Sequence, residues 1–164
     1  MNEDFVFCVF CETSYENEVG VFLQNLGYNV ISALVERNIY RNGKFIKEYR
    51  SIIPGYVFFE NNCEPDWNEI YKFKYIYYPL KYTNNQKRLN DNDLQFVKWL
   101  KGYNGKIKIS NAIKIGNKLK FIDGPLTELE SFMVKLNKKH KCAGIKIEGE
   151  NIKRIIWLSY ELVE

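Results

Sequence analysis

The hydrophobic pattern of this 164-residue chain changes near residue 103. Before that point, apolar residues at helical spacing alternate with extended apolar runs, which is typical of helices packed on an antiparallel sheet. After it, the chain consists of short extended runs separated by turns, which is typical of a small barrel. The polar stretch GYNGKIKISN between the two patterns predicts a linker. We therefore expect an α+β protein with two domains, residues 1–102 and 113–164, joined by residues 103–112.

The first domain is predicted to open with a strand and a helix. The run FVFCVFC, Phe5–Cys11, is apolar on both faces and predicts a strand inside a sheet. Thr13 and Glu16 have the spacing of a capping box, and Gly27 suits the position just after a helix. The helix between them is indicated by one apolar face, formed by Val19, Phe22, Leu23 and Leu26.

Turn and cap residues predict the rest of this domain. Asn42-Gly43 favours a type I′ turn, so the arms on either side predict a hairpin whose basic residues are either solvated or directed at nucleic acid. Pro54 precedes the apolar run YVFFE, as expected of a proline at the start of an inner strand. Asp66 predicts the cap of a short helix, and YIYYPLKY predicts a further strand. A last helix is predicted to bury Leu94, Val97 and Leu100 on one face.

Positive charge is concentrated in the last third of the chain. The net charge is +4, but residues 1–102 carry 12 basic and 13 acidic side chains, whereas residues 103–164 carry 12 basic and 7 acidic ones. The stretch NKKHK, Asn137–Lys141, lies between two predicted strands and would form a basic hairpin tip. A solvated surface is the alternative, but the excess of positive charge favours contact with phosphates. The candidate nucleic-acid-binding residues are Lys118, Lys120, Lys138, Lys139, His140, Lys141, Lys153 and Arg154.

The sequence gives no sign of catalysis, of a cofactor or of a metal site. The one histidine, His140, lies in a hydrophilic stretch without an acid nearby, and none of the common catalytic motifs occurs. Cys8 and Cys11 form a C-x-x-C, but in a strand residues three apart face opposite sides. We therefore expect four reduced, structural cysteines and no enzymatic activity.

Nothing in the sequence indicates a membrane protein. No apolar run approaches the length of about 18 residues that a spanning helix needs. The N-terminus MNEDFVFCVFCE is acidic and lacks the basic region of a signal peptide. We expect a soluble, cytoplasmic monomer.

Four stretches, in this order along the chain, resemble the NusG family of transcription elongation factors. FVFCVFCETSYENEVGVFLQNLGY resembles the family's opening strand and helix, and RSIIPGYVFFE resembles its proline-glycine-tyrosine signature. NDNDLQFVKWL resembles the closing helix of its N-terminal domain, and IKIGNKLKFIDGPLTELE the opening of its KOW domain. The resemblance implies a NusG N-terminal-type domain, with an antiparallel sheet flanked by helices, followed by a small SH3-like β-barrel KOW domain.

The resemblance also implies partners. In the family, the N-terminal domain docks on the clamp helices of RNA polymerase and suppresses pausing and termination, while the KOW domain recruits RNA or a protein. Because alternate residues of a strand face opposite sides, only some of the residues around the signature can be exposed. The candidate polymerase-binding residues are Phe7, Val9, Ile53, Pro54, Tyr56 and Phe58.

The basic tail NKKHKCAGIKIEGENIKRIIWLSYELVE is similar to that of LoaP, a specialised antitermination paralogue, which implies binding of a nascent RNA hairpin. The resemblance leaves open whether non-template DNA, a ribosomal protein or Rho is also bound. Glu128 and Ser131 stand where the KOW motif usually has glycines. An RNA-binding or ribosome-associated KOW protein that never binds polymerase is the alternative function. A helical form of the segment after Pro125 is a further alternative, given the spacing of Leu126, Leu129, Met133 and Leu136.

Overall fold

A computed structural model describes residues 4–163, which form a mixed α+β protein, as predicted. Two compact units are distinguished: residues 4–33, 53–105 and 149–152 form the first unit, and residues 34–52, 106–148 and 153–163 form the second. The elements in chain order are β1 (Phe5–Cys11), α1 (Glu16–Asn25), β2 (Asn29–Ile31), β3 (Leu34–Arg41), β4 (Lys44–Ser51), β5 (Tyr56–Asn61), α2 (Trp67–Ile70), β6 (Ile76–Pro79), α3 (Asp91–Gly102), β7 (Lys106–Ile107), β8 (Ser110–Ile115), β9 (Lys118–Asp123), α4 (Leu126–Leu129), a 3-10 turn (Glu130–Phe132), β10 (Met133–Asn137), β11 (Cys142–Glu148) and β12 (Lys153–Leu162).

The first unit contains a four-stranded antiparallel sheet in the order β2-β5-β1-β6. β1 is an inner strand, with Phe7 opposite Phe59 of β5 and Val9 opposite Pro79 of β6. An inner strand that is covered on both faces has no polar side, which explains the continuous apolar run. The strand predicted at Phe5–Cys11 is confirmed.

Both faces of this sheet are covered, each by a different set of helices. On one face, side chains of β1 and β5 pack against α1 and α2 in a buried cluster. On the other face, Phe58 of β5 contacts Phe96 of α3 at a ring-centroid distance of 6.1 Å. The buried cluster on the first face comprises Phe7, Val9, Cys11, Val19, Leu23, Val57, Phe59, Ile70 and Ile76.

Local sequence signals place most helix ends correctly. Gly27 follows α1 with φ of +98°, a left-handed conformation that glycine adopts without strain, and Asp66 caps α2 by accepting a hydrogen bond from the Glu69 amide at 3.4 Å. The predicted capping box is wrong. Tyr15 rather than Thr13 precedes α1 and makes no side-chain cap, and the Glu16 carboxylate accepts a hydrogen bond from the Gly55 amide.

The helix α3 buries a face rotated from the predicted one. Phe96, Val97 and Leu100 are buried, whereas Leu94 is only half-buried and Asp93 takes its place in the interior. α3 has 12 residues and is the longest helix of residues 4–163.

None of the helices described here combines the length and the hydrophobicity that a membrane-spanning helix needs.

The hairpin β3–β4 belongs to the second unit. Asn42 and Gly43 at its tip have φ of +51° and +77°, so the predicted type I′ turn is confirmed. β3 also pairs in parallel with the short strand β7, which gives a three-stranded sheet in the order β4-β3-β7.

The rest of the second unit is a five-stranded sheet in the order β10-β11-β12-β8-β9. Its neighbours are antiparallel except for β12 and β8, which run in parallel. The extended runs predicted in the last third are thus confirmed. The segment proposed as an alternative helix is divided, since only Leu126–Leu129 is α-helical and Met133–Asn137 is a strand. β7 and the beginning of β8 lie within residues 103–112, the predicted linker.

Candidate functional site

Three aromatic side chains from neighbouring strands form a row on the first unit. Phe10 of β1 lies opposite Tyr56 of β5 and opposite Tyr78 of β6. Ring centroids are 4.7 Å apart for Phe10 and Tyr56, and 5.1 Å apart for Phe10 and Tyr78. Phe10 and Tyr56 are half-buried, whereas Tyr78 is 59% exposed. These three residues, called the aromatic row below, present an apolar surface with polar hydroxyl groups.

A tight turn before β5 fixes one end of the aromatic row. Gly55 has φ of +87°, and a Cβ atom there would lie 3.3 Å from the carbonyl oxygen of Cys11, so the position favours glycine. The Gly55 amide donates a hydrogen bond to Glu16 Oε1 at 2.9 Å, and its carbonyl accepts one from the Cys11 amide at 2.9 Å. Pro54 is exposed directly beside the turn. Hydrogen bonds to both α1 and β1 therefore fix this turn, and with it the start of β5 at Tyr56.

Burial divides the candidate polymerase-binding residues into two groups. Pro54 is exposed and Tyr56 is half-buried, so both present accessible surface. Four side chains are buried and support the surface from inside: Phe7, Val9 and Phe58 are 0% exposed, and Ile53 is 2% exposed. A buried side chain offers no area to a partner, so we do not include these four in the contact surface.

The sequence analysis missed Phe10 and Tyr78. Phe10 follows Val9 and therefore faces the opposite side of the sheet, where α3 covers Phe58 but leaves Phe10 half-exposed. The clustering of tyrosines in YIYYPLKY was the available signal for Tyr78. A run that is apolar on both faces gives no indication of which face stays open.

The basic tip predicted between two strands is present in the second unit. Residues 138–141 form the turn between β10 and β11, and all four side chains are exposed. The His140 amide donates to Asn137 Oδ1 at 3.0 Å, and Lys141 has φ of +52°. The backbone of this turn is also held by the Tyr160 amide, which donates to the Lys141 carbonyl at 2.9 Å.

The eight candidate nucleic-acid-binding residues are all exposed but do not form one continuous face. Lys153 and Arg154 lie where β12 begins, opposite Glu148 and Ile147 of β11. The basic tip lies at the other end of β11, about 20 Å away at the usual rise per residue of a strand. Lys118 and Lys120 lie on β9, which is separated from β12 by β8. The structure thus divides the predicted set into at least two separate positions.

The basic tip borders an open groove within the second unit. The groove has a volume of about 880 Å³, and we call it the hairpin groove because the β3–β4 hairpin forms one wall. The opposite wall is formed by the basic tip and the last half of β12. Its lining residues are Arg37, Asn38, Tyr40, Phe45, Lys47, Lys139, His140, Lys141, Cys142, Trp157, Ser159, Tyr160, Glu161 and Leu162.

Polar contacts join the two walls of the hairpin groove. Asn38 Nδ2 donates to Glu161 Oε1 at 3.1 Å, and Lys47 Nζ lies 3.3 Å from the same oxygen. The hydrogen bond from Asn38, together with Lys47, lowers the pKa of Glu161. Arg37 donates to Ser159 Oγ at 3.3 Å. These contacts fix the hairpin against β12.

The cysteines do not form a site. Cys8 and Cys11 are buried on opposite faces of β1, and burial raises the pKa of both thiols, that of Cys11 to about 11. Cys63 is exposed and Cys142 is half-buried, and both are free thiols. Among residues 4–163, no cluster of three or more histidine, cysteine or acidic side chains is arranged to hold a metal ion.

Comparison with known proteins gives a structural match. No family model matches the chain, and no curated protein does. A solved structure described as "Domain interaction in Thermotoga maritima NusG" is similar with a TM-score of 0.52 and 14% sequence identity, covering 96% of this chain and 94% of that chain. The fold is NusG-like. At this identity the similarity establishes the fold alone, over nearly the whole of both chains.

Proposed function

We propose that this protein is a transcription elongation and antitermination factor of NusG type that docks on RNA polymerase through its first unit. The observation that carries the proposal is the aromatic row beside the exposed Pro54, on a NusG-like fold. In this proposal, Pro54, Tyr56, Phe10 and Tyr78 receive the tip of the polymerase clamp helices, as an apolar surface receives a helical segment. The buried Phe7, Val9, Ile53 and Phe58 set the shape of that surface from below.

In this mechanism the protein acts by binding and catalyses no reaction. A factor that binds the closed clamp more tightly than the open clamp shifts the population towards the closed, elongating state. Pausing and termination are then suppressed to the extent of this difference in affinity. We propose that the protein acts in the cytoplasm, as a monomer.

We further propose that the second unit is a KOW domain that contacts nascent RNA, as in the LoaP-like paralogues. Support comes from the exposed basic tip at residues 138–141 and from the positive charge of the last third. An RNA-binding or ribosome-associated protein that does not bind polymerase would also have the basic tip. Such a protein would not need the aromatic row as a polymerase-binding surface.

The test is capture of purified RNA polymerase core enzyme by the full-length chain. Tyr56→Ala and Tyr78→Ala should each weaken capture by about tenfold or more, because aromatic side chains at the centre of an interface contribute about 2 kcal/mol. Tyr71→Ala is the matched control, because Tyr71 is also an exposed tyrosine of the first unit but lies outside the aromatic row. Absence of capture by the unmodified protein would refute polymerase docking.

A further inference from the structure

We propose that the hairpin groove binds a single strand of nucleic acid, with bases stacked on Tyr40 and Phe45 and phosphates at Arg37, Lys139 and Lys141. The inference deepens the nucleic-acid part of the proposed function and does not depend on polymerase docking. It assigns a role to the β3–β4 hairpin, and it gives the basic tip a binding partner of defined chemistry.

The aromatic part of the groove is an exposed ring pair on the hairpin. Tyr40 of β3 lies directly opposite Phe45 of β4, and the ring centroids are 5.2 Å apart. Tyr40 is 64% exposed and Phe45 is 76% exposed, although both line the groove. The type I′ turn at Asn42-Gly43 fixes the register of the two strands, so the ring pair is held in place near the end of the β3–β4 hairpin. Fixed, exposed rings of this kind are the usual platform for unpaired bases.

Several cations of the second unit have a carboxylate partner: Glu48 binds Arg41 at 2.6 Å and Arg50 at 2.9 Å, Glu161 lies 3.3 Å from Lys47, and Glu148 lies 3.0 Å from Lys146. Among residues 4–163, no carboxylate lies within 4.0 Å of Arg37, Lys139 or Lys141. These three cations line the groove. Glu161 is the one acidic residue among the described residues that line the groove, and it interacts electrostatically with both Lys47 and Lys141. Four cations against one carboxylate leave an excess of positive charge in the groove, and an anion is the complementary ligand.

Of these three cations, Arg37 has the surroundings that best suit a phosphate. It is half-buried in the groove wall, and its hydrogen bond to Ser159 Oγ engages only one of its five N–H groups. Its cross-strand neighbour Glu48 is bound to Arg41 and Arg50 instead. Burial lowers the pKa of Arg37, which reflects the cost of holding a charged guanidinium away from water. A phosphate placed there would accept the remaining hydrogen bonds in the geometry that guanidinium favours.

The combination of features favours a single strand over a duplex or an acidic peptide. A duplex keeps its base faces stacked inside, so it offers phosphates but nothing for Tyr40 and Phe45. An acidic peptide would use the cations but has no regular flat group for the exposed rings. A single strand uses both, since it carries a phosphate and an unstacked base in every nucleotide. RNA and DNA strands share this chemistry, and the experiment distinguishes them.

The experiment measures fluorescence anisotropy of labelled oligo(U), oligo(dT) and a blunt duplex of the same length, each titrated with the full-length protein. The double variant Tyr40→Ala/Phe45→Ala should weaken binding of the preferred strand by about tenfold or more, as expected for loss of base stacking. Arg37→Gln should weaken it and reduce the salt dependence, by a slope of about 0.7 for one phosphate contact. Matched controls are Phe132→Ala, an exposed phenylalanine outside the groove, and Arg50→Gln, a hairpin arginine that already has a carboxylate.

Each result decides the proposal. Preference for oligo(U) or for oligo(dT), with loss in the groove variants and not in the controls, supports it and identifies the source of the strand. Equal binding of duplex and single strand refutes it, as does unchanged binding by Tyr40→Ala/Phe45→Ala, whose side chains are 64% and 76% exposed. Polymerase capture is assayed with the same variants. Groove variants should lose strand binding and keep polymerase capture, whereas Tyr56→Ala should lose capture and keep strand binding. The two assays therefore test the two proposals separately.

Discussion

The carboxylate of Glu16 holds the turn at Gly55, accepting a hydrogen bond from the Gly55 amide at 2.9 Å. The two residues are 39 positions apart in the chain. The same oxygen accepts a hydrogen bond from the Ser14 amide at 3.2 Å. One side chain at the start of α1 therefore fixes both the loop before the helix and the turn that presents Pro54 and Tyr56.

Glu16→Ala should destabilise the turn at Gly55. The change leaves a part-buried backbone N–H without its acceptor, which costs about 1–3 kcal/mol of unfolding free energy, and it should reduce polymerase capture as Tyr56 loses its position. Glu16→Gln keeps an oxygen at the same place and should behave much more like the unmodified protein. Urea unfolding and the capture assay measure the two effects, and Glu18→Ala is the control because Glu18 is exposed in the same turn of α1. Equal values for the alanine variants at 16 and 18 would contradict the role of Glu16.

Asp93 should be among the most sensitive positions of the first unit. Its side chain is 0% exposed and accepts hydrogen bonds from the Tyr82 hydroxyl at 2.6 Å and from the amides of Asn151 and Ile152 at 3.2 and 2.9 Å. Asp93→Asn replaces one acceptor oxygen with an NH₂ group that faces N–H donors, so a loss of about 1–3 kcal/mol for each mismatched donor is expected. Urea denaturation measures this loss of unfolding free energy.

Glu150→Gln is the control for Asp93, because Glu150 is an exposed carboxylate in the turn that Asp93 holds. It should change the unfolding free energy by less than about 0.5 kcal/mol. If Asp93→Asn were equally mild, the hydrogen bonds to Asp93 would not be important for stability.

Cys11 should contribute to a loss of stability at alkaline pH. Burial and the nearby Glu16 carboxylate raise the pKa of the Cys11 thiol from 9.0 to about 11, so the folded protein keeps this proton where the unfolded chain loses it. The unfolded state then binds fewer protons, and the free energy of unfolding falls as the pH rises from 9 towards 11. Denaturant midpoints measured at pH 7, 9, 10 and 11 test this. Burial raises the pKa of Cys8 too, so Cys8 adds to the decline, and Cys11→Ala should make the decline less steep without abolishing it. An equally steep decline in that variant would exclude Cys11 as a cause.

The salt dependence of RNA binding should depend on the basic tip. Replacing Lys138, Lys139 and Lys141 by glutamine should lower the slope of log K against log salt by about 2 with a single-stranded probe, at about 0.7 per lost phosphate contact. Lys153→Gln/Arg154→Gln is the comparison, because these residues lie at the other end of β11 and β12. If the two variants reduced the slope equally per charge, binding would be diffuse rather than centred on the tip.

Features that depend on a few neighbouring residues could be predicted from the sequence. The type I′ turn at Asn42-Gly43, the left-handed Gly27 and the Asp66 cap are fixed by local backbone geometry, so their residue types identify them. The strands of the last third were predicted for the same reason. These elements depend little on where the rest of the chain lies.

Features that depend on distant residues could not be predicted. Glu16 has the spacing of a capping residue but binds Gly55 instead, and Asp93 has the character of a surface residue until the turn at 149–152 covers it. The hairpin groove depends on contacts such as Asn38 with Glu161, 123 residues apart. Neither the spacing of apolar residues nor the local charge indicates such partners.

The two units interleave along the chain, and this limits how they can be separated. The polypeptide passes from one unit to the other at residues 33–34, 52–53, 105–106, 148–149 and 152–153. Cleavage after residue 102 would keep the β3–β4 hairpin but discard β7 and β12, and would also remove the 149–152 turn from the carboxylate that anchors it. Neither half of a protein cut there would carry a complete unit, so its functions are better dissected by point substitution than by deletion.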